Sequence, residues 1–268
     1  MKILFFGDIM GKIGRKGLAA VLPALKEDLK PDLIIANVEN LAHGKGVTKS
    51  TLAELTAMGV HVFTSGNHIW DKPEVFEIMK DETYPLFRPA NYPPSVEGKG
   101  AGIIQTPSGQ RVLIINLMGR VFFKESLDCP FRKADEILQD YKKDKKIAAI
   151  FVDFHAEATS EKVAMGHYLD GRVSAVVGTH IQVPTADYHI LKGGTAFITD
   201  VGPVGAKDSI IGVAKEGPLK QFLSQKPGGG FDIPEKGICS VNGVIIDIDE
   251  AASSAVSIDR VYREVEIR

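Results

Sequence analysis

Side chains that bind metals or carry protons recur where apolar runs end in this sequence. They follow five such runs and are Asp8, Asn37, Glu39, Asn40, Asn67, His68, His155 and His180. Carboxylates, imidazoles and amide oxygens without a thiolate are typical of catalytic sites for iron, manganese or zinc, and not of closed structural zinc sites. Two such ions promote phosphoester hydrolysis, because they supply the nucleophile and neutralise charge on the phosphoryl oxygens. The pattern therefore favours a metal-dependent phosphoester hydrolase.

The elements that must position these side chains alternate along the chain. Apolar runs rich in β-branched residues lie at 3–6, 33–36, 60–63, 112–115, 147–154 and 173–177. Helical spacing separates the first two runs, further helices are predicted at 133–142, 159–169 and 218–224, and Thr51-x-x-Glu54 predicts a capping box. This alternation predicts an α/β fold with a largely parallel sheet, in which the carboxyl ends of the strands share one edge.

The C-terminal third has a different pattern. Segments 196–199, 244–248 and 256–267 are predicted strands without long helices between them. We expect antiparallel additions to the sheet or a second packed sheet. The stretch with the most linker-like composition, 226–230, leaves little chain after it, so residues 1–268 are predicted to form a single domain.

Composition and charge limit the classes of function. The chain has 268 residues, with 32 Lys and Arg against 34 Asp and Glu, and this near-neutral balance disfavours binding to long nucleic acids. Its two cysteines, Cys129 and Cys239, lie too far apart for a CxxC zinc site, and so few thiols are typical of a reducing cytoplasm. Neither a signal peptide nor a membrane span is expected, since no apolar run approaches about 20 residues. A homo-oligomer is expected only from the frequency of oligomers among soluble enzymes.

Seven ordered motifs carry a resemblance to a known family. They are FGDIMG at 6–11, NVEN at 37–40, GNHIWD at 66–71, FHAEATSEK at 154–162, GTH at 178–180, VPTAD at 183–187 and DSIIG at 208–212. The set resembles the YmdB-like metallophosphoesterases, bacterial calcineurin-like enzymes reported as cyclic-nucleotide phosphodiesterases. The resemblance implies a calcineurin-like metallophosphoesterase fold, a layered α/β sandwich.

The resemblance also implies a role for each motif residue. Asp8 and Asn40 would bind one metal ion, Glu39 would bridge both ions, and the other ion would be bound by Asn67, His155 and His180. His68 would act as the general acid. The residue chemistry agrees, because a bridging ligand should be a carboxylate and Glu39 is the only one in its cluster.

Gln182 departs from the family pattern, which has a histidine two residues after His180. Residues two apart on an extended chain face the same way, so Gln182 can still face the site. Its amide oxygen is a poorer donor than imidazole for iron or zinc. Three outcomes stay open: Gln182 binds the metal weakly, a water replaces it, or the first site fills only at high metal concentration. We expect two divalent ions, iron or manganese with zinc as an alternative, and a weakened first site.

These observations predict a phosphodiesterase that hydrolyses small phosphodiesters such as cyclic nucleotides, using a metal-bridging hydroxide and His68 as proton donor. Two alternatives remain. One is a regulatory or binding protein with a weakened metal site and little turnover, and the other is a phosphomonoesterase.

Other polar residues are weighed against structural roles. His43, in a glycine-rich loop, is interpreted as an exposed loop residue, and Lys45 as a candidate phosphate contact. Trp70 is interpreted as a base-stacking residue or a core anchor. Arg120 is interpreted as half of a salt bridge, with bidentate binding of a substrate phosphate as the alternative. The remaining histidines are predicted to be structural, namely His61, His167 and His189. Three carboxylates are candidates to orient metal-binding imidazoles, namely Asp71, Asp153 and Asp187.

Overall fold

Two mixed β-sheets form the centre of the protein in a computed structural model, which describes residues 1–81, 83–144, 146–226 and 230–268. The strands are β1 (Lys2–Phe6), β2 (Leu33–Asn37), β3 (Val62–Thr64), β4 (Ala101–Gln105), β5 (Arg111–Met118), β6 (Ile147–His155), β7 (Ala175–Thr179), β8 (His189–Ile190), β9 (Ala196–Ile198), β10 (Val204–Ala206), β11 (Gly237–Asp249) and β12 (Ser254–Ile267). The helices are α1 (Gly11–Leu29), α2 (Lys49–Met58), α3 (Glu74–Lys80), α4 (Pro130–Tyr141), α5 (Thr159–Leu169) and α6 (Glu216–Ser224), with a 3₁₀ helix at Asn67–Asp71. Residues 227–229 of the linker-like stretch lie outside the described residues.

The parallel strands are divided between the two sheets. In the first sheet β1, β2 and β3 are parallel, and β11 joins β1 antiparallel. Strands β10 and β12 both pair antiparallel with β11. In the second sheet β5, β6, β7 and β9 are parallel, with antiparallel β4 and β8 at the edges.

The prediction of one largely parallel sheet is therefore wrong in the number of sheets, although a second packed sheet was one of the expected outcomes. The antiparallel expectation holds for 244–248 and 256–267, whereas 196–199 lies in the second sheet and pairs antiparallel with only one of its two neighbours, β8. That segment forms β9 beside β7 and runs parallel to it, because the chain first turns back through β8.

Alternation along the strands explains how the layers stack. Leu4 and Phe6 of β1 pack against Leu18 and Leu22 of α1, on the outer face of the first sheet. The neighbouring Phe5 points the other way, into a core shared with the second sheet, since successive strand side chains alternate in direction. The outer face of the second sheet packs against α4 and α5. The order of layers is helices, sheet, sheet, helices.

The capping box of α2 lies three residues before its predicted position. Thr48 is the N-cap: Thr51 N donates to Thr48 Oγ1 at 3.3 Å, and Thr48 N donates to Thr51 Oγ1 at 3.0 Å. The prediction of a Thr51–Glu54 box is wrong, because Glu54 instead accepts from Arg15 Nε at 2.6 Å.

No helix in the described ranges is long and apolar enough to cross a bilayer.

Candidate metal centre

The strand ends of both sheets meet at one edge and bring the predicted residues together. Asp8 follows β1, Glu39 and Asn40 follow β2, Asn67 and His68 begin the 3₁₀ helix after β3, His155 ends β6, and His180 follows β7. Within this set, ligand atoms of Glu39, His155 and His180 lie within 4.8 Å of one another. The site is therefore assembled from two sheets, whereas the sequence predicted one.

His155 lies at the middle of this cluster. Its Nε2 is 3.1 Å from Glu39 Oε2, 3.1 Å from Asn67 Oδ1 and 3.0 Å from His180 Nδ1. Gly66 makes the close approach possible, because a Cβ there would lie 2.2 Å from the His155 ring and 2.3 Å from Glu39 Oε2. Several lone-pair donors thus converge on a small volume, which is the arrangement that a cation requires.

A hydroxyl group fixes which nitrogen of His155 faces the cluster. Thr179 Oγ1 donates to Asp153 Oδ1 at 2.8 Å, so its lone pair accepts the proton of His155 Nδ1, 2.9 Å away. This leaves Nε2 as the nitrogen that faces the cluster, where a metal ion would be bound. Asp153 thus acts on His155 through Thr179. Burial raises the pKa of Asp153, while hydrogen bonds from Thr64, Asn37 and Thr179 favour the ionised carboxylate.

His180 has a similar partner that the sequence did not predict. Its Nε2 lies 2.8 Å from Glu157 Oε2, and this pair turns Nδ1 toward the cluster. Glu157 stands two residues after His155 in the quoted motif, and that spacing was the only signal for it. The ring of Phe123 also packs on His180, with 4.9 Å between centroids.

Two buried carboxylate oxygens support a cation at this site. Within the described residues, Asp8 Oδ1 and Glu39 Oε1 are buried without a hydrogen-bond partner. The other oxygen of Asp8 accepts from His180 N at 3.2 Å. A buried, unpartnered carboxylate oxygen is costly unless a cation neutralises it, so the residues present fit a metal ion.

The electrostatics agree with this fit. Burial and the neighbouring His155 lower the pKa of His180 to about 3, so this imidazole is neutral, as a ligand must be. Burial alone would raise the pKa of Glu39, but the adjacent His155 outweighs it and lowers that pKa to about 2. Burial raises the pKa of Asp8 to about 7, with His155 opposing. Burial lowers the pKa of His155, but the negative charges of Glu39 and Asp8 raise it overall. The same two negative charges would attract a bound cation.

Asn40 and Gln182 lie side by side. Gln182 Nε2 donates to Asn40 Oδ1 at 3.3 Å, and Asn40 Nδ2 donates to Gly44 O at 2.9 Å. Both His180 and Gln182 have positive φ angles, 101° and 57°, in a tight turn after β7. The structure thus places Gln182 beside a predicted ligand of the first metal ion, with its amide nitrogen toward Asn40.

A buried ion pair supports this turn from behind. Lys162 Nζ donates to Thr179 O at 2.6 Å and to Asp200 Oδ2 at 2.7 Å. Asp200 Oδ2 also accepts from Ile181 N at 3.2 Å. Lys162 ends the FHAEATSEK motif, but no role was predicted for either member of the pair.

His68 lies at the open side of the centre. Its Nδ1 is 2.9 Å from Asp71 Oδ2, and its backbone N donates to Glu39 Oε2 at 3.1 Å. It lines a cavity of about 310 Å³ together with Asn40, His43 and Lys45. The sequence suggested that Asp71 orients a metal-binding imidazole. In the structure it orients His68, which is not one of the predicted metal ligands.

The other weighed residues have mainly structural contacts. Trp70 stacks on Phe76 with 5.5 Å between centroids, as a core anchor would. The Nδ1 of His61 accepts from Ile34 N at 3.0 Å, and His189 packs on Phe197. The prediction that Asp187 orients a metal-binding imidazole is wrong: its carboxylate instead accepts from Thr199, while Glu157 holds His180.

Comparison with known proteins identifies the family. The profile of the YmdB-like protein family matches residues 4–261. The chain belongs to the YmdB-like family. It is 46% identical, over 97% of its length and 96% of the relative's, to a 2′,3′-cyclic-nucleotide 2′-phosphodiesterase of Bacillus subtilis (strain 168).

Two solved structures share the fold of this YmdB-like chain over nearly its whole length. A hypothetical protein from Thermus thermophilus has a TM-score of 0.90 at 39% identity, covering 98% of this chain and 99% of that one. A novel phosphatase from Mycoplasma pneumoniae has a TM-score of 0.90 at 31% identity, covering 100% of this chain and 94% of that one. The predicted calcineurin-like metallophosphoesterase fold is thereby confirmed.

Proposed function

We propose that this protein is a metal-dependent phosphodiesterase that hydrolyses small phosphodiesters, cyclic nucleotides among them. The observation that carries the proposal is the convergence of Glu39, Asn67 and His180 on Nε2 of His155, beside two unpartnered carboxylate oxygens. The name of the Bacillus subtilis relative supports a phosphodiester as the substrate.

The proposed cofactors are two divalent ions, iron or manganese, with zinc as the alternative. Asn67, His155 and His180 would hold one ion, Asp8, Asn40 and Gln182 the other, and Glu39 would bridge them. When bound, the ions supply a water-derived nucleophile at neutral pH and neutralise the phosphoryl oxygens. The relays Asp153–Thr179–His155 and Glu157–His180 keep the ligand nitrogens aimed at the site.

His68 is the proposed proton donor. Because Asp71 holds its Nδ1, its Nε2 is free to protonate the leaving oxygen as the phosphorus–oxygen ester bond breaks. The same contact keeps the ring oriented during that transfer. An alkoxide leaving group gains most from this proton, since it is a strong base.

We further propose that residues 1–268 form a single domain, which the core shared by the two sheets supports. A cytoplasmic location is supported by two cysteines that form no disulfide.

The test uses purified protein given Mn²⁺ or Fe²⁺, with turnover of 2′,3′-cyclic AMP and bis-p-nitrophenyl phosphate as the readout. We expect both to be hydrolysed, and His68→Ala to lose turnover of the cyclic nucleotide. His167→Ala, an exposed histidine of α5, is the matched control. Turnover of neither substrate with any of these metals would reject the proposal. p-Nitrophenyl phosphate in the same assay decides whether monoesters are preferred.

A binding protein with one metal ion is the second candidate, and the contact of Gln182 with Asn40 favours it. That contact occupies an oxygen which the first ion would need. Metal analysis separates the two functions, because two ions per chain together with turnover would exclude the binding protein.

A further inference from the structure

A second cavity lies beside the one that contains His68. The first cavity, of about 310 Å³, reaches Asn40 and His68 at the candidate metal centre. The second cavity, of about 420 Å³, includes Ser240 and Tyr262 in its wall. Gln182 and Ile211 belong to the walls of both cavities. Both volumes exceed the lower limit, about 300 Å³, of sites that hold small organic ligands.

A tight turn holds Ile211 in the wall of both cavities. Ile210 and Val213 exchange backbone hydrogen bonds of 2.8 and 3.0 Å, and Gly212 N donates to Ser209 Oγ at 3.0 Å. Ile211 at the tip has a φ of 43° and is 53% exposed. Most of the turn belongs to the DSIIG motif at 208–212, to which the metal chemistry assigns no role.

The chemistry of phosphodiesters gives the second cavity a use. A cyclic nucleotide carries both ester oxygens on one ribose, so one cavity beside the metal centre accommodates its whole organic part. A linear phosphodiester carries two separate organic groups, and each needs its own space. The first cavity would receive one of these groups. The second cavity is available to the other group, because Gln182 forms part of the wall of both cavities.

The charges of the second cavity favour an uncharged occupant. Lys207, at its rim, is paired with Glu264 through a 2.6 Å contact between Nζ and Oε1. The remaining wall combines apolar side chains such as Ile210 with hydroxyl-bearing ones such as Ser240 and Tyr262. A nucleoside fits this mixture of apolar and hydrogen-bonding surface better than a second phosphate group does.

We propose that the second cavity binds the second ester group of a linear phosphodiester, so that the enzyme cleaves dinucleotides as well as cyclic nucleotides. The inference rests on the proposed function, because it assumes that phosphorus is attacked at the metal centre.

The test compares two substrates, thymidylyl-3′,5′-thymidine and 2′,3′-cyclic AMP, with the Mn²⁺-loaded protein. Ser240→Trp fills the second cavity, and Val213→Trp fills the first. We expect Ser240→Trp to lower the ratio of kcat/KM, dinucleotide over cyclic nucleotide, by at least about tenfold. Val213→Trp should lower turnover of both substrates, since both place a group in the first cavity. Lys207→Trp, at the exposed rim, is the second filling variant in case Ser240→Trp does not fold.

The outcomes separate this inference from the proposed function. If the protein hydrolyses the cyclic nucleotide but not the dinucleotide, the proposed role of the second cavity is wrong, and the proposed phosphodiesterase activity is unaffected. The same conclusion follows if Ser240→Trp or Lys207→Trp folds and the ratio of kcat/KM for the two substrates is unchanged. Hydrolysis of neither substrate rejects the phosphodiesterase itself, and the second cavity with it.

Discussion

At the scale of the residue, the centre depends on partners that fix the direction of each ring. His155 is turned by Thr179, His180 by Glu157 and His68 by Asp71. An imidazole has two nitrogens, and the hydrogen bond at one decides the task of the other. These partners are therefore as testable as the predicted ligands.

Asp71→Asn should slow hydrolysis of 2′,3′-cyclic AMP by about 10- to 100-fold. An asparagine keeps a hydrogen bond to His68 Nδ1 but lacks the negative charge that faces the ring while the proton moves. Bis-p-nitrophenyl phosphate should be affected much less, because p-nitrophenolate is a stable anion that needs no proton. Steady-state kinetics on both substrates provide the measurement, with Asp81→Asn as the control. Equal losses on both substrates would contradict a role in leaving-group protonation.

Gln182→His should strengthen binding of the first metal ion, since imidazole is a better donor than an amide oxygen for these metals. Because the first site is the weaker one, it should fill with the second equivalent of Mn²⁺ in a titration followed by electron paramagnetic resonance. That equivalent should bind at a lower free Mn²⁺ concentration in Gln182→His than in the natural chain. Gln182→Ala should shift it the other way. If neither substitution moves the titration, Gln182 does not contact the metal.

At the scale of the element, the turn after β7 needs support from outside itself. It carries two residues with positive φ, His180 and Gln182, and such backbone persists only where the surroundings hold it. Asp8 and Asp200 accept its backbone N–H groups, and Lys162 of α5 binds both Asp200 and the carbonyl of Thr179. Helix α5 thus supports the turn that carries His180, a predicted ligand on another element.

Lys162→Met should destabilise the protein by about 3–5 kcal/mol, because it leaves the buried Asp200 carboxylate without its cation. Both partners are at most 1% exposed. The free energy of unfolding from urea denaturation is the measurement. Lys215→Met removes an exposed pair with Asp208 and should change stability little. A similar small effect of Lys162→Met would show that the pair does not support the turn.

At the scale of the whole molecule, the centre exists only where two sheets meet. Asp8, Glu39 and Asn67 follow strands of the first sheet, while His155 and His180 belong to strand ends of the second. The core between the sheets fixes their spacing, and Phe5 and Phe151 meet there with 5.3 Å between ring centroids. Packing between the two sheets therefore sets the geometry of the candidate metal site.

Phe151→Ala should lower the free energy of unfolding by about 3–5 kcal/mol, as is usual when a buried aromatic ring is deleted. Because one core serves both sheets, near- and far-ultraviolet circular dichroism should show one coincident unfolding transition. Phe122→Ala is the control, since Phe122 is 83% exposed. Two separate transitions would contradict the single-domain proposal.

The sequence by itself determined most of the strands that end at the candidate site and the chemical types that follow them, although β4, β10 and α3 were not predicted. Runs such as 3–6 and 33–36 are apolar at every position because both faces of those strands are buried, and this is visible without a structure. The polar residues that follow the runs were therefore found in advance, from Asp8 to His180. Local spacing also predicted α5 at its observed bounds.

Only the tertiary structure decided how those ends combine. The parallel strands are divided between two sheets. Gln182 contacts Asn40 and Glu157 pairs with His180, and each of these contacts joins residues that are distant in the chain or lie on separate elements. Hydrophobic periodicity shows which face of a strand is buried but not which element covers it. Strand order, ring orientation and the second cavity come from packing between elements, and a pattern along one segment does not contain that information.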